Sequence, residues 1–337
     1  MRMVENRVFR VALVGCGAIS KTHIRAILAA GQTVAALCDV EPGKAHALAE
    51  ATGLSAPAVF TDYNAMLDAV RPDIVHICTP HDLHVPMAIA ALERGIHVLC
   101  EKPLAVSRAQ LREVIEAERR STAMLGVCHQ NRYEPNMRRL REMVKTQPQG
   151  GYATVVWRRD ASYYRSGAWR GTRAHEGGGV LINQAIHTLD LMQWIFGTPT
   201  HVTAHLSNDF LRDVIEVEDT AACTFESEIG ARWQFFATTS GAVDFPIRIC
   251  VRLASGELVE AQNHQFTVNH QVLSGEDDTG EGKWVWGDGH QSLIRDFYEH
   301  VQENKPFWLD AEEGAKVVRM ILAAYQSNGQ RIRIAGE

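Results

Sequence analysis

Cysteine is scarce and shows no paired spacing. Among 337 residues there are seven, at positions 16, 38, 78, 100, 128, 223 and 250, and none forms a C-x-x-C. An odd count at wide spacing excludes a disulfide framework. Without paired ligand spacing no metal site is expected. Five of the seven close short apolar runs (VALVGC, VAALC, IVHIC, IHVLC, LGVC), as small reduced core residues of a cytoplasmic protein do. No apolar run approaches the ~18–20 residues of a membrane span. Residues 1–10 lack the apolar core of a signal peptide. These absences predict a cytoplasmic protein with no membrane partner. Positive charge is not in excess either: 34 Lys and Arg stand against 40 Asp and Glu, for a net charge of −6. Bulk nucleic-acid binding, which relies on cations against phosphate, is therefore not expected. Internal repeats, low-complexity tracts and a Pro/Gly/Ser linker are missing as well. What remains is ordinary globular composition, with 46% hydrophobic and 22% charged residues. The length suits about two domains.

The first ~128 residues alternate apolar strands with helical patterns. Strands are expected at 8–14, 33–38, 73–78, 96–100 and 123–128, and helices at 19–30, 43–51, 85–94 and 107–119. Near-continuous apolar strands joined by helices imply a parallel sheet covered on both faces. Right-handed crossovers make it doubly wound. After about Asn131 the pattern changes. Helices are expected at 134–145 and 180–196, and strands at 152–159, 221–225, 231–238 and 247–253 without helices between the last three. Strand-like sequence extends to about Val285 and suggests an antiparallel sheet. Helices at 292–303 and 312–325 close the chain. The expected class is α/β, divided into domains 1–128 and 129–337.

Gly15-Cys16-Gly17-Ala18-Ile19-Ser20 follows a strand and opens a helix, the context a dinucleotide fingerprint requires. Gly15 permits the tight turn and Gly17 lets the backbone approach a pyrophosphate, while the helix N-terminus presents free N–H groups. Ser20 replaces the third glycine. Asp39 ends the second strand, where an acid accepts from the adenosine ribose hydroxyls. Its alternative is a turn residue ahead of Glu41-Pro42-Gly43. A carboxylate at 39 repels a 2′-phosphate, and neither Val40 nor Glu41 offers an Arg to receive one, so NAD is expected over NADP. Thr79-Pro80, followed by His81 and His84, and Glu101-Lys102-Pro103 end neighbouring strands, where open parallel sheets bind ligands. Lys102 there could face a substrate, or be a surface cation paired with Glu101.

TPHDLHVPMAIAALERGIHVLCEKPLA, GCGAIS, EGGGVLINQAIHTLDLMQWIFG at 176–197 and the HQSLIRDFY opening of the final helices together resemble the Gfo/Idh/MocA family of glucose–fructose oxidoreductases and inositol dehydrogenases. The resemblance spans most of the chain and is weakest at 205–285. It implies an N-terminal Rossmann domain and a C-terminal α/β domain with a large open antiparallel sheet. That sheet commonly makes a dimer, and pairs of dimers often make tetramers. It also implies hydride exchange between a nicotinamide and a sugar or cyclitol carbinol. Gly15, Gly17, Ala18, Ile19, Ser20, Asp39, Thr79, Pro80, His84, Glu101 and Lys102 form the expected cofactor set. Lys102 matches the active-site lysine of the E-K-P motif and His187 the catalytic histidine. Asn183 stands where many members carry aspartate. On one continuous helix, 183 and 187 share a face.

Oxidising a secondary alcohol requires removal of the hydroxyl proton as hydride leaves carbon. His187 suits the base near neutrality, and Lys102 would stabilise a developing alkoxide. Asn183 cannot hold a negative charge; Asp190, three residues beyond His187, offers a substitute or merely a helix-face residue. Between 158 and 175 five arginines (158, 159, 165, 170 and 173) meet one acid, Asp160, and Tyr163, Tyr164 and Trp169 interleave with them. Aromatic faces stack on sugar rings and guanidinium groups bind carboxylate or phosphate. Tyr163, Trp169, Arg170, Arg132, Lys102, Asn183 and His187 are the expected substrate contacts, and an anionic sugar is one reading. Dimer contact, rim charge or pyrophosphate contact is the other. The same Lys and His would also serve a transient oxidation that drives a net elimination or glycoside cleavage. A non-enzymatic NAD-binding sensor is a third possibility, against which the retention of both residues argues.

Overall fold

The computed structural model describes residues 7–144, 148–228, 230–262, 265–275 and 289–334. Two compact units emerge: residues 1–105, 109–129 and 290–314 make the first, and residues 106–108, 130–289 and 315–337 the second. Residues 290–314 therefore return to the first unit, which a single division after 128 does not capture.

In chain order the first part runs β1 (Arg10–Val14), α1 (Ser20–Ala29), β2 (Thr33–Cys38), α2 (Pro42–Thr52), β3 (Ala58–Phe60), α3 (Tyr63–Val70), β4 (Ile74–Ile77), α4 (His84–Leu92), β5 (His97–Cys100), α5 (Arg108–Arg120) and β6 (Leu125–Val127). β3 and α3 are additions to the sequence expectation. The sheet order is β3-β2-β1-β4-β5-β6, all neighbours parallel. That is the doubly wound order, with its switch point between β1 and β4. Val11 to Val14 and all of β4 are buried, as expected of strands covered on both faces.

The chain continues through α6 (Pro135–Val144), β7 (Pro148–Val156), α7 (Ala161–Arg165), α8 (Val180–Asn183), α9 (Ile186–Phe196), β8 (His201–Ser207), β9 (Thr220–Glu226), β10 (Arg232–Thr238), β11 (Arg248–Leu253), β12 (Leu258–Ala261), β13 (Gln265–Val268), β14 (Gln271–Gly275), α10 (Gly289–Glu303), α11 (Ala311–Ser327) and β15 (Ile332–Arg333). The nine-stranded order is β14-β13-β12-β11-β7-β10-β9-β8-β15. All its pairings are antiparallel except β7 with β10, so the expected antiparallel sheet is mixed. Strand-like sequence at 276–285 lies outside the described residues. In β9 and β10 buried residues alternate with more exposed ones. One face of the sheet is therefore core, packed by α6, α8 and α9. All seven cysteines are buried and free. Among the described residues no helix is long and apolar enough to cross a membrane.

Candidate active site

Each unit carries its own cluster of candidate residues. In the first, Gly15 leaves β1 at φ +88°, and a Cβ there would meet the Cys78 carbonyl oxygen at 2.5 Å. Only glycine fits. Gly17 is exposed, with open space where a Cβ would lie. Its backbone is accessible beside the start of α1, whose cap has no side-chain partner, and exposed Ala18 and half-buried Ile19 lie between them. Ser20 is buried and donates its hydroxyl to the Gly17 carbonyl at 2.5 Å, closing the turn. Asp39 accepts from the Cys16 N–H at 2.8 Å and the Glu41 N–H at 2.9 Å. Its carboxylate thus ties the end of β2 to the glycine turn, and it serves the next turn as well. This cradle fits a dinucleotide: an accessible glycine backbone, an uncapped helix start and an acid beside both.

Thr79 and Pro80 are half-buried at the end of β4. His84 behaves otherwise than expected. It is fully buried, and its ring nitrogens lie 2.7 Å from the Pro103 carbonyl and 2.9 Å from the Thr79 carbonyl. It joins two strand-end loops, with both ring nitrogens engaged by backbone. Burial lowers its pKa against the pull of those carbonyls. Glu101 is likewise withdrawn into the core. His23 Nε2 lies 3.0 Å and His290 Nε2 3.4 Å from Glu101 Oε1, and the Lys102 N–H donates to Oε2 at 3.2 Å. Beyond His23 the chain of contacts continues to His76 (Nδ1 to Nδ1, 2.8 Å) and Tyr298 (2.8 Å). Burial lowers the pKa of both His23 and His76. A carboxylate can only accept, so the first link of this chain is the His23 Nε2–H donating to Glu101. His23, Glu101 and Cys128 also bring donor atoms within 4.8 Å of one another; the hydrogen-bond chain already engages the first two. Lys102 itself is half-buried.

In the second unit the glycine triplet is a packing device. Cβ atoms at Gly178 and Gly179 would collide with the Tyr325 hydroxyl and the Glu218 carbonyl. The triplet is thus needed to seat α8. The buried Glu218 carboxylate accepts from the Gly179 and Leu181 N–H groups (2.9 and 3.1 Å) and from the Tyr325 hydroxyl (3.1 Å), satisfying the start of α8. The single helix expected over 180–196 is interrupted. The Ala185 N–H reaches the Val180 carbonyl, five residues back, at 2.8 Å. Such a widened turn rotates the residues after it, so 183 and 187 do not share a regular helical face. Asn183 is buried and His187 half-buried.

Arg132 requires a correction. It is fully buried, and its Nε and Nη2 donate to both Asp190 oxygens at 2.7 and 2.6 Å. A bidentate buried pair holds α9 against the turn before α6, so the guanidinium expected at the substrate is engaged by Asp190. The arginine-rich loop also divides. Arg158 lies 3.9 Å from Asp160 and Arg159 3.0 Å from Asp244. Arg170 lies over the rings of Tyr163 (4.3 Å) and Trp169 (4.6 Å) and donates to the Tyr163 hydroxyl. Tyr163 rests on a small core of Tyr164, Leu211, Ile215 and Val217. Its hydroxyl oxygen also lies 3.3 Å from both Asn183 Nδ2 and Gln184 Nε2. Behind Asn183 stands a residue that sequence reasoning missed, the fully buried Glu176. Its carboxylate accepts from Asn183 Nδ2 and from the Gly171 N–H. Its one sequence signal is position, immediately ahead of three glycines.

The model of an oxidoreductase family with an NAD-binding Rossmann fold matches residues 9–129, and that of its C-terminal alpha/beta domain matches 151–334. D-glucoside 3-dehydrogenase of Escherichia coli is 30% identical, covering 96% of this chain and 97% of its own. An inositol 2-dehydrogenase/D-chiro-inositol 3-dehydrogenase of Lactiplantibacillus plantarum is 25% identical over 69% of this chain and 68% of its own. The crystal structure of the WlbA dehydrogenase from Bordetella pertussis, in complex with NADH and UDP-GlcNAcA, superposes with a TM-score of 0.85 at 25% identity, covering 98% and 100%.

Proposed function

Because the chain belongs to the Gfo/Idh/MocA oxidoreductase family and is an NAD-dependent dehydrogenase of sugar or cyclitol CH–OH groups, we propose that it oxidises a ring hydroxyl of a neutral glycoside. The end-to-end similarity to a glucoside dehydrogenase carries this reading. The loop agrees with it. Arg158 and Arg159 are near acids and Arg170 is laid on two aromatic rings, so these three guanidinium groups already have partners within the protein. Tyr163 and Trp169 are proposed to stack on the sugar.

Gly15, Gly17 and Asp39 would hold the dinucleotide, with Ala18, Ile19, Thr79 and Pro80 beside them; when bound, it supplies the hydride acceptor. Of the residues that act on the substrate, His187 takes the hydroxyl proton on an imidazole nitrogen. Lys102 stabilises the developing alkoxide with its ammonium. Asn183 holds a substrate hydroxyl by hydrogen bonding. The proposed partner is a further copy of this chain, as a homodimer or homotetramer, through the open face of the nine-stranded sheet, where Tyr152 and Phe236 are about 40% exposed among small and polar neighbours. A cytoplasmic location and the absence of a nucleic-acid partner complete the proposal.

The test is NADH formation against methyl glucosides, free hexoses, inositols and UDP-linked uronates. Neutral glycosides should give the highest kcat/KM, with a ring ketone as product. A UDP-uronate preferred over every neutral sugar would overturn the substrate class. Product formed without net NADH would reveal the transient-oxidation alternative.

A further inference from the structure

The side chain at 183 is an uncharged amide, and the structure places a carboxylate directly behind it. Glu176 is fully buried and precedes the glycine triplet. A carboxylate can only accept from an amide, so its contact with Asn183 assigns Nδ2 to that side. The second N–H of the same amide is directed at the Tyr163 oxygen, 3.3 Å away. Both amide donors are thereby turned toward protein, and the carbonyl Oδ1 is turned the other way. The second Glu176 oxygen is fixed by the Gly171 N–H. Gly171 adopts φ +71°, with Ile215 against the space a Cβ would need, so this donor cannot easily move.

We infer that Glu176 is a positioning residue of the dehydrogenase reaction, a buried carboxylate that orients the amide of Asn183 and keeps the negative charge one residue behind the site. The inference rests on the proposed roles of Asn183 and His187. The groups around the pair come from several elements. Tyr163 and Tyr164 lie on α7 and Arg170 on the loop after it. Tyr325 of α11 and Glu218 stand on the far side of the glycines, and the charge of Glu176 contributes, after burial, to raising the pKa of Tyr164 and Tyr325.

This arrangement changes what substitution at 183 should do. Asn183→Asp puts two carboxylates in hydrogen-bonding contact, and such a pair must share a proton. Glu176→Gln leaves two amides facing each other, with no charge between them. The double variant Glu176→Gln/Asn183→Asp restores an amide–carboxylate bond in the reverse sense. Each single change should lower kcat/KM about 10- to 100-fold, the range for loss of a hydrogen bond to a charged group, and lower the melting temperature. The double variant should recover both, to within about threefold of wild-type kcat/KM. For Asn183→Asp the melting temperature should fall as pH rises, because both carboxylates then ionise. Wild type and the double variant should show only the shallower trend of the acids common to all the proteins, such as Glu218.

The experiment is the full double-mutant cycle, read as melting temperature across pH and as kcat/KM on the best substrate, with His187→Ala alongside. Additive losses in the double variant would overturn the inference. So would an Asn183→Asp melting temperature that falls with pH no more steeply than that of wild type, which decides the matter even if Glu176→Gln fails to fold. Retained activity in His187→Ala would instead refute the site assignment, while the melting-temperature cycle still reports on the pair.

Discussion

Glu101 and Glu218 are the same side chain in the two units, both almost removed from water, and their pKa values move in opposite directions. Burial pushes each upward. At Glu218 it prevails over the backbone N–H groups of Leu181, Glu218 and Gly179 and the Tyr325 hydroxyl, and the pKa is raised. At Glu101 the hydrogen bonds and charge of His23 and His290 overcome burial, and the carboxyl is held well below its ordinary range. The number of donors does not separate the two cases; whether the donors can take up positive charge does. The first unit thus maintains an anion next to Lys102 in the chain. The second buries Glu218 and Glu176 around the turn that leads to His187, and places Asn183 and His187 further on.

Lys102 and His187 are proposed to play unlike roles, so neither can compensate for the loss of the other. Lys102→Met and His187→Ala should each lower kcat on the order of a thousandfold, the scale of a lost proton acceptor or alkoxide stabiliser. NAD affinity, measured by calorimetry, should persist in both. Near-normal turnover in a folded Lys102→Met protein would make that lysine a surface cation and dissolve the contrast.

A second contrast concerns ion pairs. Asp190→Asn leaves Arg132 buried without its anion, a loss of about 3–5 kcal/mol by urea unfolding. In the first unit, Asp68→Asn breaks a solvent-exposed pair with Arg94 (2.8 Å) and should barely move the urea midpoint. Similar shifts in the two would mean that burial does not distinguish them.

The two units also differ in how much of them could be read from the residues. Gly15, Gly17, Asp39 and Lys102 belong to short motifs at strand ends, where local order alone places them, and runs such as IVHI and HVLC are enough to imply the parallel sheet. The segment 53–72 hid β3 and α3, because a three-residue strand and an eight-residue helix carry too few periods to register. In the second unit the partnerships are distant in sequence. Arg132 finds Asp190 across 58 residues and Glu218 reaches Leu181 across 37. No spacing rule marks either, and the burial of Arg132 against Asp190 is not legible from its position in the sequence. The helix over 180–196 has an unbroken apolar pattern, and its interruption at 184–185 is a backbone event that side-chain periodicity cannot register. The mixed sheet has the same cause: the alternation in β7 and β10 fixes which face is buried, not the direction in which the strands pair.

Cofactor choice tests the first unit alone. Asp39→Ser removes the carboxylate proposed to accept from the ribose and to repel a 2′-phosphate, so the ratio of NADP to NAD dissociation constants should fall about tenfold or more. Asp39 also holds the Cys16 and Glu41 N–H groups, so stability should decline too, and the ratio rather than either affinity is the measure. A wild-type protein that binds NADP tenfold more tightly than NAD would contradict the assignment.

The smallest effect tests the opening contrast most directly. For Glu101 the folded pKa lies below the unfolded value of 4.5, so its contribution to stability is complete above about 4.5 and is lost as pH falls toward the folded pKa. For Glu218 the folded pKa lies above 4.5. Its contribution is complete below that value and is lost as pH rises through the folded pKa. Each unit of displacement is worth about 1.4 kcal/mol. Replacing either acid by glutamine adds an offset from altered hydrogen bonding, but that offset does not titrate. The informative quantity is therefore the slope of the wild-type minus variant stability against pH. Between pH 3 and 5 it should rise with pH for Glu101→Gln, and from pH 4.5 upward it should fall with pH for Glu218→Gln. Slopes of the same sign would show that the imidazoles do not set the charge of Glu101, and that burial governs both acids alike.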